Sequence, residues 1–305
     1  MLFCLPATTY AKYYRFHEPI CAIARQERPA HPDDAAGRNL DSRGLGGGRR
    51  LESGPRRRRL LRRRRSGRLL HRRTRRRSGA TVSCVNYGAS FAFLGFYIVR
   101  EDLRARGYGL RMWRAAIAHA GPRVIGLDGV LAQQQNYGKS GFELAYAHVR
   151  YGGTVAPPDR SPAGVIALAE VPLAAVEAYD ATVFPAPRSA FLRAWIGSPG
   201  HVGCALVRDG GLAGWGVIRP CRKGRKIGPL VADDRATAEV VLSALLARVG
   251  RDEIFLDVPS INRDAVALAQ DLGLAPVFET ARMYTGSIPP LQLERVFGVT
   301  TFELG

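Results

Sequence analysis

Long apolar runs are missing from this 305-residue chain, and nothing in it approaches the ~20 consecutive apolar residues that a membrane helix needs. Residues 1–14 lack a basic stretch followed by a clean apolar block, so no secretory leader is read there. Cysteine is scarce and scattered. Cys4, Cys21, Cys84, Cys204 and Cys221 form no C-x-x-C and no Cys/His pairing. An odd, dispersed set argues against a disulfide framework and against zinc, so no metal is expected and the cytoplasm is the expected compartment. Acids are also few, 26 against 45 Lys and Arg, which leaves a net charge of +19.

That excess is local. Residues 41–80 hold 17 Arg and only two acids, Asp41 and Glu52, while the rest of the chain has 28 basic and 24 acidic residues, a net of +4. A helix through residues 56–77 would bring like charges together at i,i+4. Blocks of one charge are usually disordered, so residues 1–79 are expected to form no regular structure. Arg-rich segments neutralise phosphates, which makes a nucleic-acid-binding protein the alternative reading. No interleaved aromatics and no RNA-binding module accompany this one, so nucleic acid is not the expected partner.

From residue 80 the pattern changes to an α/β one. Residues 80–85 and 90–99 are rich in β-branched and aromatic side chains and read as a hairpin turning at Asn86-Tyr87-Gly88. Residues 110–120 read as a helix with Leu110, Trp113, Ile117 and Ala120 on one face. A strand at 124–127, a short helix at 133–140 stopped by Gly141 and a strand at 144–150 follow. Pro157, Pro158 and Pro162 mark a linker at 154–163. Beyond it, helices are expected at 173–184, 188–196, 236–249 and 263–272, and strands at 202–207, 214–218, 227–231, 254–258 and 276–284. The halves share an order of parts: Leu127-Asp128, Asn136 and Gly141-Phe142 in one, Leu256-Asp257, Asn262 and Gly273-Leu274 in the other. This reads as a weak internal repeat of one α/β unit.

The sharpest motif is Arg104-Ala105-Arg106-Gly107-Tyr108-Gly109, an R-x-x-G-x-G loop between a strand and a helix. N–H groups at a helix start are unpaired and carry partial positive charge, so they can hold a pyrophosphate. Gly107 and Gly109 let the backbone approach and take positive φ, and Arg104 and Arg106 add charge-assisted contacts. In the second half, Ala232-Asp233-Asp234-Arg235 puts two acids where phosphates would sit. His119, His148 and His201 stand alone and read as packed or surface residues. Asp128 could orient an amine, but a carboxylate ending a strand more often caps a turn, and Cys204 reads as a small core residue.

A strand, an R-x-x-G-x-G loop, a helix, a second strand and Tyr137 four residues before Gly141-Phe142 together resemble the GNAT N-acetyltransferases over residues 80–153. The runs 93–99 (FLGFYIV) and 127–134 (LDGVLAQQ) are similar to the YitH-like subgroup, in which a second, divergent GNAT-like domain follows. Residues 164–305, with Arg282-Met283-Tyr284 and Phe297-Gly298-Val299-Thr300, resemble that second domain. The resemblance implies an α+β fold of two mixed-sheet domains in tandem and transfer of acetyl from acetyl-CoA to a small-molecule or peptide amine. It implies that the pantetheine arm pairs near Ile98 and Val99. Arg104, Arg106, Gly107, Tyr108, Gly109, Leu110 and Asn136 would hold the rest of the cofactor, and Tyr137 would protonate the leaving thiolate. The particular acceptor and the oligomeric state stay open.

The chain departs from the family before residue 80, where the Arg run stands in place of the first strands. Arg written as CGN and read one base later gives GNC before another C, so an Arg run becomes Ala, Asp, Gly or Val, and residues 68–77 (RLLHRRTRRR) can then read AFFIGELDGE, a strand-turn-strand. On that reading the segment is frameshifted and the first domain is truncated or scrambled at its N-terminus. The strand at 80–85 is then left as an edge, and the chain as written is poorly active or an inactive product.

Overall fold

The computed structural model describes residues 68–74 and 77–305. Strands β1 (Arg68–Thr74), β2 (Arg77–Tyr87) and β3 (Phe91–Val99) form an antiparallel meander. Helix α1 (Tyr108–Ala120) brings the chain back to β4 (Val124–Val130), which lies parallel to β3. The short helix α2 (Gln134–Gly138) leads into the long strand β5 (Phe142–Val155). Residues 156–164 hold no helix or strand, at the place where three prolines mark a linker. Then come β6 (Val165–Ala167), α3 (Leu173–Val183) and α4 (Ser189–Ile196). A second meander follows, of β7 (Val202–Arg208), β8 (Gly211–Pro220) and β9 (Arg225–Ala232). Helix α5 (Arg235–Ala247), β10 (Asp252–Pro259), α6 (Arg263–Asp271), β11 (Ala275–Thr285) and β12 (Val296–Gly298) complete the elements. No helix among the described residues is long and apolar enough to cross a membrane.

The expectation of no regular structure through residue 79 is corrected at its end. β1 lies inside the Arg-rich stretch and pairs with β2 from Arg68↔Cys84 to Thr74↔Arg77, so residues 80–85 are not an edge. Residues 1–67 fall outside the described ones. In α1 the buried stripe is Met112, Trp113, Ala116 and Ala120, and Leu110 is exposed instead of buried. This face packs on Val82, Ala92, Leu94, Ile125 and Leu127 of β2, β3 and β4. In the second half, Val241, Leu242 and Leu245 of α5 pack on Ile227, Leu230, Ile254 and Leu256 of β9 and β10.

The strands were expected as two sheets and instead form one, in the order β1-β2-β3-β4-β11-β5-β10-β9-β8-β7-β6, with β12 beside β9. β11 from the second half sits between β4 and β5, antiparallel to both, and β5 pairs with β10. Each half therefore sends its last long strand into the other. The exchange is tied by two matching ion pairs. Arg282 of β11 lies opposite Asp128 of β4, and its Nε and Nη2 donate to that carboxylate at 2.7 and 2.7 Å. Arg150 of β5 lies opposite Asp257 of β10 and donates to it at 2.6 and 2.9 Å. The Leu-Asp repeat read in the sequence thus marks the same place in each half. Burial pushes both carboxyls up, but the neighbouring cations outweigh it, and Asp257 is held at about 2 by Arg150 and Lys226. Asp128 is no turn cap. Its side chain is fully buried and is also bonded to His148 Nδ1 at 2.9 Å.

Candidate active site

Phe91–Leu94 of β3 pair with Val124–Leu127 of β4, and there the ladder stops. Both strands continue, β3 to Val99 and β4 to Val130, without pairing to each other. The divergence has a local cause. Ser83 pairs with Gly95 and Thr81 with Ile98, so Phe96 and Tyr97 together face Val82. That extra residue is a β-bulge, which bends the strand. Phe96 sits at φ +49°, a conformation that costs a non-glycine residue ~1 kcal/mol or more. Thr81 Oγ1 holds it by donating to Phe96 O at 2.9 Å. Between the diverging strands opens a cleft lined on one face by Tyr97, Trp113 and Tyr137, and on the other by Arg150, Thr280 and Phe302.

Tyr137 is the expected site residue that lies in this cleft. Its ring packs 5.5 Å from Trp113, which is itself 5.2 Å from Tyr97, and Trp113 Nε1 donates to Ser140 Oγ at 3.0 Å. Gly129 makes the approach possible, because a Cβ there would stand 2.2 Å from the Tyr137 ring. Ile98 and Val99 follow the bulge, along the part of β3 that has left β4. The loop from Arg104 to Gly109 starts just beyond them, and Arg104 Nε donates to Val99 O at 3.2 Å. Arg106, Gly107 and Leu110 are exposed, and Tyr108 and Gly109 are half-buried. Asn136 donates to Gln133 Oε1 at 2.8 Å and accepts from Lys139 Nζ at 3.2 Å.

The two loop glycines serve different needs, which corrects the expectation that both take positive φ. Gly107, the N-cap of α1, is left-handed at φ +73° with open space around it. Gly109 is needed for closeness: a Cβ there would lie 2.6 Å from Tyr97 Oη and 2.9 Å from Val99 Cγ2. The N-cap of α1 makes no side-chain hydrogen bond and its first turn holds no acid, whereas Asp234 caps α5.

The second half repeats the frame and closes it. Arg225–Ile227 of β9 pair in parallel with Ile254–Leu256 of β10, and those strands also part. Into that gap runs the chain itself. Val296 and Gly298 of β12 pair with Val231 and Leu230, and Val299 N donates to Asp257 O at 2.9 Å. A Cβ on Gly298 would stand 2.6 Å from Leu256 Cδ1, so the fit leaves no spare room. At the mouth of α5, Asp234 accepts from Thr237 N at 2.7 Å, while Asp233 accepts from Tyr179 Oη at 3.0 Å and pairs with Arg295. Acids of the chain occupy the helix start where a phosphate would go. The cleft residues Arg150, Thr280, Phe302 and Glu303 were not singled out from the sequence. Of these, Glu303 carried a readable signal, as the lone charge in the run Val299-Thr300-Thr301-Phe302-Glu303-Leu304.

A mixed sheet with diverging parallel strands, beside a glycine-rich helix entry, is the fold of an acyltransferase. A holothin acyltransferase of Pseudoalteromonas sp. (strain SANK 73390) is 31% identical over 227 residues, which are 74% of this chain and 77% of that protein. Residues 176–298 match the family described as acetyltransferase (GNAT) domain. The chain belongs to the GNAT family. Among solved structures, a Pyrococcus horikoshii protein described as an acetyltransferase matches with a TM-score of 0.64 and 26% identity, over 75% of this chain and 76% of its own. A tandem GNAT protein from the clavulanic acid biosynthesis pathway matches with a TM-score of 0.50 and 16% identity, over 73% and 85%, a likeness of fold alone.

Proposed function

We propose that the chain is a YitH-like tandem of two GNAT units that moves acetyl from acetyl-CoA directly to an amine, with the donor bound in the first half alone. The observation that carries this is the difference between the two gaps. Three and four residues past Ile227, the last paired residue of β9, the chain's own β12 bonds to Leu230 and Val231. Three and four residues past Leu94 in β3 lie Tyr97 and Ile98, along an edge that β4 has left. An extended, hydrogen-bonding ligand is therefore matched to the first gap, as β12 is to the second. The thioester would meet the bulge at Phe96, the pyrophosphate the N–H groups after Gly107, with Arg104 and Arg106 beside it. Tyr137 would act as the acid on the sulfur. Holothin, the compound named for the Pseudoalteromonas relative, is the first acceptor to try.

Gly109→Val tests the donor site. The added side chain has to displace Tyr97 and Val99, so acetyl-CoA affinity should fall at least tenfold, ~1.4 kcal/mol, by titration calorimetry. Unchanged affinity in a folded variant would remove the loop from the donor site.

A further inference from the structure

We infer that Arg219 anchors a second binding site, separate from the donor gap, that takes the carboxylate of a small organic acid. Three other arginines set the pattern. Arg150, Arg188 and Arg282 each turn the same edge, Nε and Nη2, to a carboxylate. Arg150 donates to Asp257 at 2.6 and 2.9 Å, Arg188 to Asp180 at 2.8 and 2.7 Å, and Arg282 to Asp128 at 2.7 and 2.7 Å. Arg219 of β8 is placed as deeply, at 4% exposed, and its Nε and Nη2 are buried with no hydrogen bond among the described residues. An ion taken out of water is costly unless it is paired and hydrogen-bonded. Two parallel N–H groups in one plane match the two oxygens of a carboxylate.

The charges around Arg219 fix the class of ligand. Arg219 lies opposite Lys226 of β9, and its Cζ is 5.3 Å from the centre of the Trp195 ring. His201 meets the same ring edge-on at 4.7 Å. Burial and the charge of Arg219 push the His201 imidazole down to about 4, so it adds no charge at neutral pH. Burial raises the Cys221 thiol, which stays neutral as well. Asp257 is engaged by both Arg150 and Lys226. Glu303 is the acid that acts most strongly on Arg219, and it does so by charge. Lys226 is lowered by burial to about 8 and is still mostly protonated at pH 7. Three cations, Arg150, Arg219 and Lys226, thus share the space with two carboxylates, Asp257 and Glu303. One positive charge is left over. A monovalent carboxylate neutralises it, whereas a phosphate dianion would overshoot.

The site belongs to the second half. The cleft beside β3 is lined by Arg150 and Glu303 but not by Arg219. In the second half, β12 joins β9 at Leu230 and Val231, whereas Arg219 faces the other end of that strand, at Lys226. Filling the second gap therefore leaves the Arg219 edge untouched. Binding is purely ionic: the acid enters and leaves as its carboxylate, and no bond is made or broken. The inference does not depend on acyl transfer. With so little of Arg219 exposed, the probe has to be small, and acetate carries the carboxylate with the least beyond it.

The test is titration of the full chain at pH 7 with sodium acetate, and with chloride, sulfate and phosphate at matched ionic strength, read by calorimetry and by melting temperature. Acetate should bind saturably at one site and raise the melting temperature above the chloride control, because a ligand of the folded state stabilises it. Arg219→Met removes the charge and the fork and should abolish the acetate response. Arg219→Lys keeps the charge and loses the fork, and should weaken acetate about tenfold or more. No acetate response beyond that of chloride in the wild type would overturn the site. Tighter binding of sulfate or phosphate than of acetate would overturn the carboxylate assignment. Acetate binding equally well to wild type and to a folded Arg219→Met variant would mean an adventitious ion only. If the Met variant does not fold, a folded Lys variant with wild-type acetate affinity overturns the site, and a weakened one supports it. If neither folds, wild-type crystals grown with bromoacetate decide. An anomalous bromine signal beside Arg219 supports the site, and a signal elsewhere or none overturns it.

Discussion

Replacing Tyr137 by Phe should cut turnover roughly a hundredfold or more and leave acetyl-CoA affinity nearly intact. The expectation follows from what the ring does apart from its hydroxyl. It packs on Trp113 at 5.5 Å and covers Gly129, and phenylalanine can keep both contacts. The change removes the hydroxyl whose proton the proposed step delivers to sulfur. A thiolate leaving without that proton is the poorer leaving group, so the loss should appear in kcat and not in Kd. Stopped-flow or steady-state thiol release, paired with calorimetry, separates the two. Full turnover in the Phe variant would reduce Tyr137 to a packing residue and leave the acid to be found elsewhere.

Arg282→Met should lower stability by about 3–5 kcal/mol, because it leaves the Asp128 carboxylate buried without its main partner. The guanidinium also sits 5.0 Å from the Phe93 ring centroid, a cation–π contact that methionine loses. For a structure of this size the melting temperature should drop by roughly 10 °C. The pH dependence carries a sign. Burial raises the Asp128 carboxyl, but in the wild type Arg282 and His148 outweigh it and the carboxyl lies below its ordinary value. Its contribution is therefore present at neutral pH and fades as pH falls below the ordinary carboxylate value of ~3.9. In the variant burial prevails, the folded carboxyl titrates above that value, and the penalty grows as pH rises through it. The gap between the two proteins should be wide at pH 7 and narrow towards pH 4. Adding Asp128→Leu to the variant should recover most of the loss, since an apolar pair replaces a buried ionic one at little cost. An unchanged melting temperature in Arg282→Met would mean that the strand exchange is not tied by this pair.

Element centres were legible because each depends on its own neighbours in sequence. Trp113 and Ala120 of the expected face lie in the buried stripe of α1, and the β-branched and aromatic runs mark β3 and β10. Extensions were not legible. β5 runs on through Gly152 and Gly153, residues of poor strand propensity, because β10 pairs with them and the Phe255 ring fills the space that a Cβ on Gly152 would need. The exchange of β5 and β11 was hidden for a general reason: a strand's alternation is the same whichever neighbour it joins. Asp128 was misread as a turn cap because its partner Arg282 is 154 residues away. As written, the Arg run was read by its charge, and charge does not register the pairing of residues 68–74 with β2. At the site, the R-x-x-G-x-G loop and Tyr137 sit in contiguous motifs and could be found. Glu303 reaches the cleft only through the contact of its segment with Gly95, which no local pattern encodes.

The central claim is that the first gap takes the acyl donor while the second is filled by the chain itself. Hydrogen exchange of the full chain, with and without saturating acetyl-CoA, tests it most directly, read beside the calorimetric stoichiometry. One equivalent should bind and should slow exchange across residues 95–111, with residues 228–239 unchanged because β12 and Asp234 already protect them. Protection appearing at 228–239, or a second equivalent bound, would contradict the account.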